Sequence, residues 1–234
     1  MPDDAFGHMV RDYHRGDLAA DPVHRRDDGE TWRGVLEWYF ADPGAWPTRE
    51  REFVDRAEGR VLDLGCGVGR TARYLQGRGQ AVVGVDRSPL ACGVARERGL
   101  DRVVAGDLVD PPIRGAFDTV LAVGGQLGVP GSRFGLRTLL KDLADLGDRL
   151  VADLFDPTEV DDEERWTYLE RRKIADGAAI RRFRVEYDER QGPWIDLLYL
   201  TPASFREIVA ATPWEVSVLD EGEDEHYYVV LERD

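Results

Sequence analysis

A glycine-rich turn follows the first apolar run of the chain, in the segment Val61-Leu62-Asp63-Leu64-Gly65-Cys66-Gly67-Val68-Gly69-Arg70. Glycine allows positive φ and lets a ligand approach the backbone closely, because it has no Cβ. The residues after the turn have a helical pattern, and the first N–H groups of a helix lack partners within it. The turn is therefore a candidate ligand site, although a tight turn without a ligand can use the same glycines.

The spacing of the glycines distinguishes two ligand classes. A dinucleotide fingerprint needs glycine or alanine at its last position, where helix and strand pack closely beside the pyrophosphate. That position is Arg70, whereas the glycines fall at Gly65, Gly67 and Gly69, with Asp63 two residues before the first. The spacing therefore disfavours NAD.

Three later segments carry complementary chemistry. Val82-Val83-Gly84-Val85-Asp86 ends in a carboxylate that can accept hydrogen bonds from two ribose hydroxyls. In Ala105-Gly106-Asp107-Leu108, Asp107 can accept from an adenine amino group while Leu108 packs on the ring, but Asp107 can equally be a turn former or a helix cap. Val123-Gly124-Gly125-Gln126 is an opening of small residues. Open α/β sheets bind ligands beyond the carboxyl ends of their strands, so the four segments predict one site.

Together these segments resemble the class I S-adenosylmethionine-dependent methyltransferase family, over residues 54–155 and the last two strands. The resemblance implies S-adenosylmethionine as cofactor, with Asp63 helping to place its methionine part and the methyl group lying beside the turn after the fourth strand. It says nothing of the acceptor. The implied cofactor-binding residues are Asp63, Gly65, Cys66, Gly67, Gly69, Arg70, Asp86, Arg87, Gly106, Asp107, Leu108, Val123 and Gly124.

The elements that must position these residues alternate as βαβ units. Short apolar runs predict five strands, at residues 60–64, 81–85, 102–105, 117–123 and 149–155. Ser88, Pro89 and Gly99 delimit one helix between them, and leucines at helical spacing before Gly147 indicate another. The predicted fold is a doubly wound α/β domain with a mostly parallel seven-stranded sheet and an antiparallel C-terminal hairpin.

Additions flank this predicted core of residues 58–157. Residues 1–57 are expected to form an N-terminal helical cap, with Trp32, Val35, Leu36 and Tyr39 on one helix face and a second helix starting at Thr48. Residues 158–200 are expected to form a small antiparallel insertion with strands at 166–174, 179–187 and 194–200. Residues 201–234 add a helix and the last two strands, so we expect a single methyltransferase domain over 1–234.

The candidates for the acceptor side are Tyr13, Trp38, Tyr39, Gln126 and Asp156. The aromatic residues among them can close over the cofactor or only attach the N-terminal helices to the sheet. No catalytic base is assigned. The four histidines show no metal-ligand spacing and are interpreted as surface or packing residues, so no metal site is predicted.

Composition limits the partners. The formal net charge of −15 disfavours nucleic acid and anionic membranes, and no apolar run is long enough to span a bilayer. Cys66 and Cys92 fall in segments that look buried, which is typical of a reducing cytoplasm. The acidity, with Lys141 and Lys173 as the only lysines, resembles proteins of salt-loaded cytoplasm.

The sequence therefore predicts methyl transfer from S-adenosylmethionine to a small molecule of unknown identity. We expect a cytoplasmic monomer or homodimer. The alternatives are an NAD-dependent oxidoreductase and a non-catalytic S-adenosylmethionine-binding protein, because fold alone does not decide function.

Overall fold

A computed structural model describes residues 4–34, 36–222 and 224–233. Residues 1–3, 35, 223 and 234, which belong to the predicted cap and C-terminal segment, lie outside the described residues. The chain separates into two compact units. The first contains Met1–Arg51, Arg60–Ile113 and Arg182–Ile195, and the second contains Glu52–Gly59, Arg114–Arg181 and Asp196–Asp234.

The described residues of the N-terminal segment form three helices and two short strands. In chain order these are α1 (Ala5–Arg15), β1 (Val23–Arg26), β2 (Thr31–Trp32), α2 (Leu36–Phe40) and α3 (Thr48–Val54), with a 3-10 turn at Pro43–Ala45. Asp4 begins α1 by accepting the N–H of Gly7, and Gly16 ends it with φ 76°. The helical prediction is wrong for Trp32, which lies in β2.

The predicted βαβ alternation is present from Arg60 onward. Its elements are β3 (Arg60–Leu64), α4 (Arg70–Gly77), β4 (Ala81–Asp86), α5 (Pro89–Glu97), β5 (Val103–Ala105), β6 (Phe117–Ala122), α6 (Arg133–Ala144) and β7 (Gly147–Phe155), with a 3-10 turn at Gln126–Gly128. Ser88 caps α5 with Pro89 in its first turn, as the sequence predicts. The leucines of α6 form its buried face.

The remaining elements are α7 (Glu163–Arg171), β8 (Lys173–Ala175), β9 (Ala178–Tyr187), β10 (Arg190–Gln191), β11 (Ile195–Leu200), α8 (Pro202–Val209), β12 (Trp214–Asp220) and β13 (His226–Arg233). The strand predicted at 166–174 is wrong over most of its length, because α7 occupies it. Asp162 caps this helix by accepting the N–H of Arg165 at 2.7 Å, and acidic residues fill its first turn.

Seven strands of the described residues form a mixed sheet. In the first unit, β4 lies between β3 and β5 and is parallel to both. In the second unit the order is β12-β13-β7-β6, with β6 and β7 parallel and β13 antiparallel to β7 and β12. Because β13 runs in the opposite direction, its first residue lies at the edge where β7 ends, and His226 is paired with Phe155.

Around β9, the part of the chain that the structure describes forms a second, antiparallel sheet of six strands. Its first-unit part pairs β1 with β9 and β2 with β1, in a register that places His24 opposite Val185 and Trp32. The His24 ring is buried against Trp32 and Phe183, with ring centroids 5.2 and 6.0 Å away. His24 therefore packs between strands, as its sequence interpretation expects.

The described helices include none that is both long and apolar enough to cross a bilayer.

Candidate functional site

The glycine-rich turn has the backbone that its sequence predicts. Gly65, Gly67 and Gly69 have φ of 71°, 53° and 77°, a region in which residues with a Cβ are strained. Gly69 is the N-cap of α4. A Cβ on Gly67 would meet nothing closer than Phe6 Cζ at 3.9 Å, so space is open beside the backbone at this point.

Asp86, at the end of β4, is hydrogen-bonded to the glycine turn. Its Oδ2 accepts the backbone N–H of Gly67 at 2.9 Å, and its Oδ1 accepts the N–H of Ser88 at 2.8 Å. Burial raises the pKa of Asp86 to about 6, although both N–H donors favour the carboxylate. Each carboxylate oxygen keeps a second lone pair, so the group can still accept two hydroxyl donors.

Asp63 and Cys66 support the turn from its buried side. Asp63 Oδ2 accepts the hydroxyl of Thr71 at 2.8 Å, which attaches the carboxyl to the start of α4. Burial raises the pKa of Asp63 to about 7. Burial also raises the pKa of the Cys66 thiol, whose sulfur packs against Gly84, so Cys66 is a protonated packing residue rather than a nucleophile.

The segment after β5 adjoins Asp86 through the backbone. Gly106 donates its N–H to the Asp86 carbonyl at 2.9 Å, and Leu108 beside it is half-buried. Asp107 is exposed and accepts the N–H of Val109 at 3.1 Å, the turn-forming role that its sequence also allows. Arg87 is exposed next to Asp86.

Arg70 forms a buried ion pair. Its guanidinium binds the carboxylate of Glu50, with Nη2 3.2 Å from Oε2, and both side chains are about one-twentieth exposed. The guanidinium carbon also lies 4.4 Å from the centroid of the Trp38 ring and 4.1 Å from that of Trp46. Arg70 and Trp38, predicted to contact different ligands, therefore contact each other.

Helix α1 packs beside the same turn. The Asp4 carboxylate, which caps α1, accepts the hydroxyl of Ser88, which caps α5, at 2.7 Å. One apolar cluster joins α1 and α2 to Val68 of the turn and to α5 and β9, and it consists of Ala5, Met9, Val10, Leu36, Val68, Ala91, Val94, Val185 and Tyr187.

The predicted aromatic residues Tyr13 and Tyr39 pack against this cluster. Tyr13 lies 4.7 Å from Phe40, and Tyr39 lies 5.1 Å from Phe6, between ring centroids. Burial, with a further contribution from the Asp86 carboxylate, raises the pKa of Tyr39 to about 12. Tyr39 is therefore a neutral neighbour of Asp86 at physiological pH.

The second unit contains the remaining predicted residues. Val123, Gly124 and Gln126 form the partly exposed turn after β6, and Gln126 begins the 3-10 turn there. Asp156 is buried and its Oδ1 accepts both the N–H and the hydroxyl of Thr158, at 2.8 and 2.7 Å. Its carboxylate therefore holds the turn after β7.

The comparisons with known proteins agree with this geometry. Residues 61–146 match the family described as "Methyltransferase domain". The S-adenosylmethionine-dependent methyltransferase of Bacteroides fragilis, solved with S-adenosyl-L-homocysteine, superposes with a TM-score of 0.83 at 23% identity, covering 98% of this chain and 94% of that one. Residues 61–146 thus match a methyltransferase domain, and the chain has the fold of that solved methyltransferase.

Two other similarities are informative about extent. The CcbJ methyltransferase of Streptomyces caelestis superposes with a TM-score of 0.64 at 17% identity, over 86% of this chain and 96% of that one. The 2-heptyl-1-hydroxyquinolin-4(1H)-one methyltransferase of Mycobacteroides abscessus is 50% identical over 52 residues, which are 20% of this chain and 23% of that protein. This chain therefore matches about a quarter of the curated relative's length, and the match is local.

Sequence reasoning missed several of the residues that contact the predicted ones. It missed the pair of Asp4 and Ser88, which are distant from each other in sequence. Glu50 is likewise distant in sequence from the residue that it binds. The same holds for Asp153, which accepts the N–H groups of Gly124 and Gly125, and for His226 beside it. Of these residues, only Glu50 has a local signal for burial, because it lies on the same face of α3 as the apolar residues. That signal does not identify its partner.

Among residues 4–34, 36–222 and 224–233, no group of three or more His, Cys, Asp and Glu side chains is arranged to hold a metal ion.

Proposed function

We propose that this protein transfers the methyl group of S-adenosylmethionine to a small-molecule acceptor. The observation that carries the proposal is the hydrogen bond from Gly67 of the glycine turn to the buried carboxylate of Asp86. It joins an open backbone turn to an acid that can still accept two hydroxyl donors, the combination that a ribose beside a turn requires.

The residues of the first unit fit the nucleoside part of this cofactor. In the proposal, Asp86 accepts both ribose hydroxyls, Leu108 and Gly106 lie along the adenine, and Asp107 can turn to its amino group. Asp63 acts through the turn, since its carboxyl holds the start of α4. When bound, the cofactor supplies a methyl group on a positively charged sulfur.

Arg70 does not fit the dinucleotide alternative. A pyrophosphate at the start of α4 is accommodated when a glycine or alanine allows close packing of helix and strand. Here the position holds a large side chain whose charge is already paired with Glu50. This arrangement favours S-adenosylmethionine over NAD.

We further propose that α1 and α2 cap the cofactor edge, as the sequence predicts for residues 1–57. The support is the link between Asp4 and Ser88, the apolar cluster that includes Val68, and the position of Tyr39 near Asp86. A cap of this kind excludes water while the methyl group moves. Residues 58–157 and 201–234 then form the core, with 158–200 as an addition to it.

A small acceptor agrees best with the charge of the chain. A net charge of −15 opposes binding of nucleic acid, whose affinity depends on cationic contacts with phosphates. Cys66 and Cys92 are both free and buried, in keeping with a cytoplasmic enzyme. We propose a monomer or homodimer.

Calorimetric titration tests the cofactor assignment. S-adenosylhomocysteine should bind and NAD should not. A screen with methyl-labelled S-adenosylmethionine then tests the acceptor class, comparing hydroxyl, amine and carboxylate metabolites with tRNA and DNA. Binding of NAD in place of S-adenosylhomocysteine would support the oxidoreductase alternative, and selective labelling of tRNA or DNA would exclude a small acceptor. Tight binding without transfer to any acceptor would support the non-catalytic alternative.

A further inference from the structure

Asp153 of β7 joins a histidine to the turn after β6. Its Oδ1 accepts the backbone N–H of Gly124 at 2.7 Å and that of Gly125 at 2.9 Å. Its Oδ2 lies 3.4 Å from Nδ1 of His226. The Asp153 side chain is 2% exposed and that of His226 is 35% exposed, so the carboxylate is buried while the imidazole reaches the surface.

The sheet explains why these residues meet. His226 and Phe155 are paired across β13 and β7, and Tyr228 is paired with Asp153, which places the four side chains on one face. The Phe155 ring lies against Gly125 and is 4.3 Å from the His226 ring between centroids. The imidazole is therefore held beside the turn where the family resemblance places the transferable methyl group.

The Asp153 carboxylate, 3.4 Å from Nδ1 of His226, favours one tautomer of the ring. With Nδ1 facing Asp153, the neutral imidazole carries its proton on Nδ1 and its lone pair on Nε2. A carboxylate in this position also stabilises the imidazolium that forms when Nε2 takes a proton. The pair thus has the chemistry of a general base and the group that orients it.

We propose that His226 is the general base of methyl transfer and that Asp153 is its positioning residue. This inference rests on the proposed function and narrows the acceptor to a molecule whose attacking atom is an oxygen or nitrogen that carries a proton. The acceptor's lone pair forms a bond to the methyl carbon. The carbon–sulfur bond breaks, and its electron pair stays on sulfur. The proton of the acceptor passes to Nε2 of His226 and then to water.

The charged neighbours of His226 set the pH range of this step. Burial lowers the pKa of His226, but Asp153, with Glu225 and Asp224, outweighs burial and raises the pKa above its ordinary value. Glu225 is in turn bound by Arg165 at 2.6 Å, and the ring of Tyr228 stacks 6.5 Å from the imidazole. Since only neutral imidazole accepts a proton, turnover should increase with pH through this raised pKa.

The experiment is a comparison of kcat and kcat/KM against pH for the wild type, His226→Gln and Asp224→Asn, with the exposed Glu159→Gln as a control for surface charge. We expect His226→Gln to lose about 100-fold or more in kcat. Its S-adenosylhomocysteine affinity and melting temperature should stay near those of the wild type. The fall in turnover at low pH, the acid limb of the profile, should disappear in this variant. Asp224→Asn should move the acid limb to lower pH, because a neighbouring carboxylate is removed.

A second readout does not depend on turnover. In protein labelled with nitrogen-15 histidine, the signal missing from His226→Gln identifies the imidazole. We expect the Nδ1–H tautomer and a pKa above 6.5 in the wild type. The opposite tautomer, or a pKa at or below 6.5, would overturn the proposed pairing of His226 with Asp153.

The two failures are distinguishable. An active wild type with an equally active His226→Gln variant and an unchanged acid limb would overturn the role of His226 alone. A wild type that labels no acceptor would overturn the proposed function and this inference with it.

Discussion

The backbone N–H of Gly67 donates to Oδ2 of Asp86 over 2.9 Å, and this bond links two motifs 19 residues apart in the chain. The shape of the turn after β3 thus depends on the acid at the end of β4. The other oxygen of the same carboxylate holds the start of α5 through the N–H of Ser88. One side chain therefore organises the proposed ribose site from two sides.

Replacing this side chain should weaken cofactor binding. Asp86→Ala removes the charged acceptor proposed for two ribose hydroxyls, and we expect a loss of about 2–3 kcal/mol in S-adenosylhomocysteine affinity by calorimetry. Asp101→Ala, which removes an exposed carboxylate of the same unit, should bind like the wild type. Affinity of Asp86→Ala within about twofold of wild type would remove Asp86 from the site.

Cofactor affinity should also depend on pH. Hydroxyl donors favour ionised Asp86, whose pKa burial raises to about 6, so binding should strengthen as pH rises through 6 and then level off. One pH unit below 6, the dissociation constant should be about tenfold higher. Asp86→Asn should flatten this dependence. Asp63 also has a raised pKa, of about 7, so the Asp63→Asn variant shows how much of the pH dependence comes from Asp63. A dissociation constant that stays constant between pH 5 and 8 would contradict the role of ionised Asp86.

The buried pair of Arg70 and Glu50 should be important for stability. Glu50→Gln leaves a buried guanidinium without its counter-charge, which should cost about 3–5 kcal/mol in the free energy of unfolding measured with urea. The exposed pair of Arg133 and Glu207 is the control, and Glu207→Gln should cost less than about 1 kcal/mol. Equal small losses in both variants would mean that the Glu50 pair does not stabilise the start of α4.

The contact between α1 and α5 can be tested at Gly7. A Cβ at this position would overlap both Asp4 Oδ2 and Ser88 Oγ, the two atoms whose hydrogen bond connects the helix caps. Gly7→Ala should destabilise the protein by about 1–3 kcal/mol and weaken S-adenosylhomocysteine binding. Gly93→Ala, in α5 with open space around it, should instead stabilise the protein by about 0.5–1 kcal/mol. Similar stability of both variants would argue against a fixed cap.

Salt should stabilise the protein. The net charge of −15 makes the compact state repel itself, and potassium chloride screens this repulsion. The melting temperature should therefore increase between dilute buffer and molar KCl. A flat or falling melting temperature over that range would contradict salt adaptation.

The core strands and the cofactor motif were predictable because their signals are local. Buried parallel strands are runs of Val and Leu, and β3 has the predicted bounds of Arg60–Leu64. Gly65, Gly67 and Gly69 all take positive φ, which strains residues that have a Cβ. Their spacing in the sequence therefore predicts the turn. The class I methyltransferase resemblance followed from these residues and was confirmed.

Local signals were misread where aromatic residues lie on a helix. Trp166 and Tyr168 favour a strand by their type, but Asp162 at the cap and the acidic first turn determine α7. Strand β1, with the sequence VHRR, has no strand-like alternation of apolar residues, and its pairing with β9 fixes it.

The missed site residues depend on tertiary structure. Nothing in the sequence near His226 indicates Asp153, because only the antiparallel pairing of β13 with β7 brings them together. The same reasoning applies to Glu50 and Arg70, which meet across the fold of the first unit. The lack of metal-ligand spacing around a histidine is therefore no evidence against a catalytic role for that residue.

Methyl transfer is tested most directly with methyl-labelled S-adenosylmethionine, incubated with the purified wild type or Asp86→Ala and a panel of small molecules that carry hydroxyl or amino groups. We predict that the wild type labels at least one acceptor and releases one S-adenosylhomocysteine per methyl transferred, while Asp86→Ala does so much more slowly at limiting cofactor. Labelling of no acceptor by a wild type that binds S-adenosylhomocysteine would contradict a methyl-transfer function.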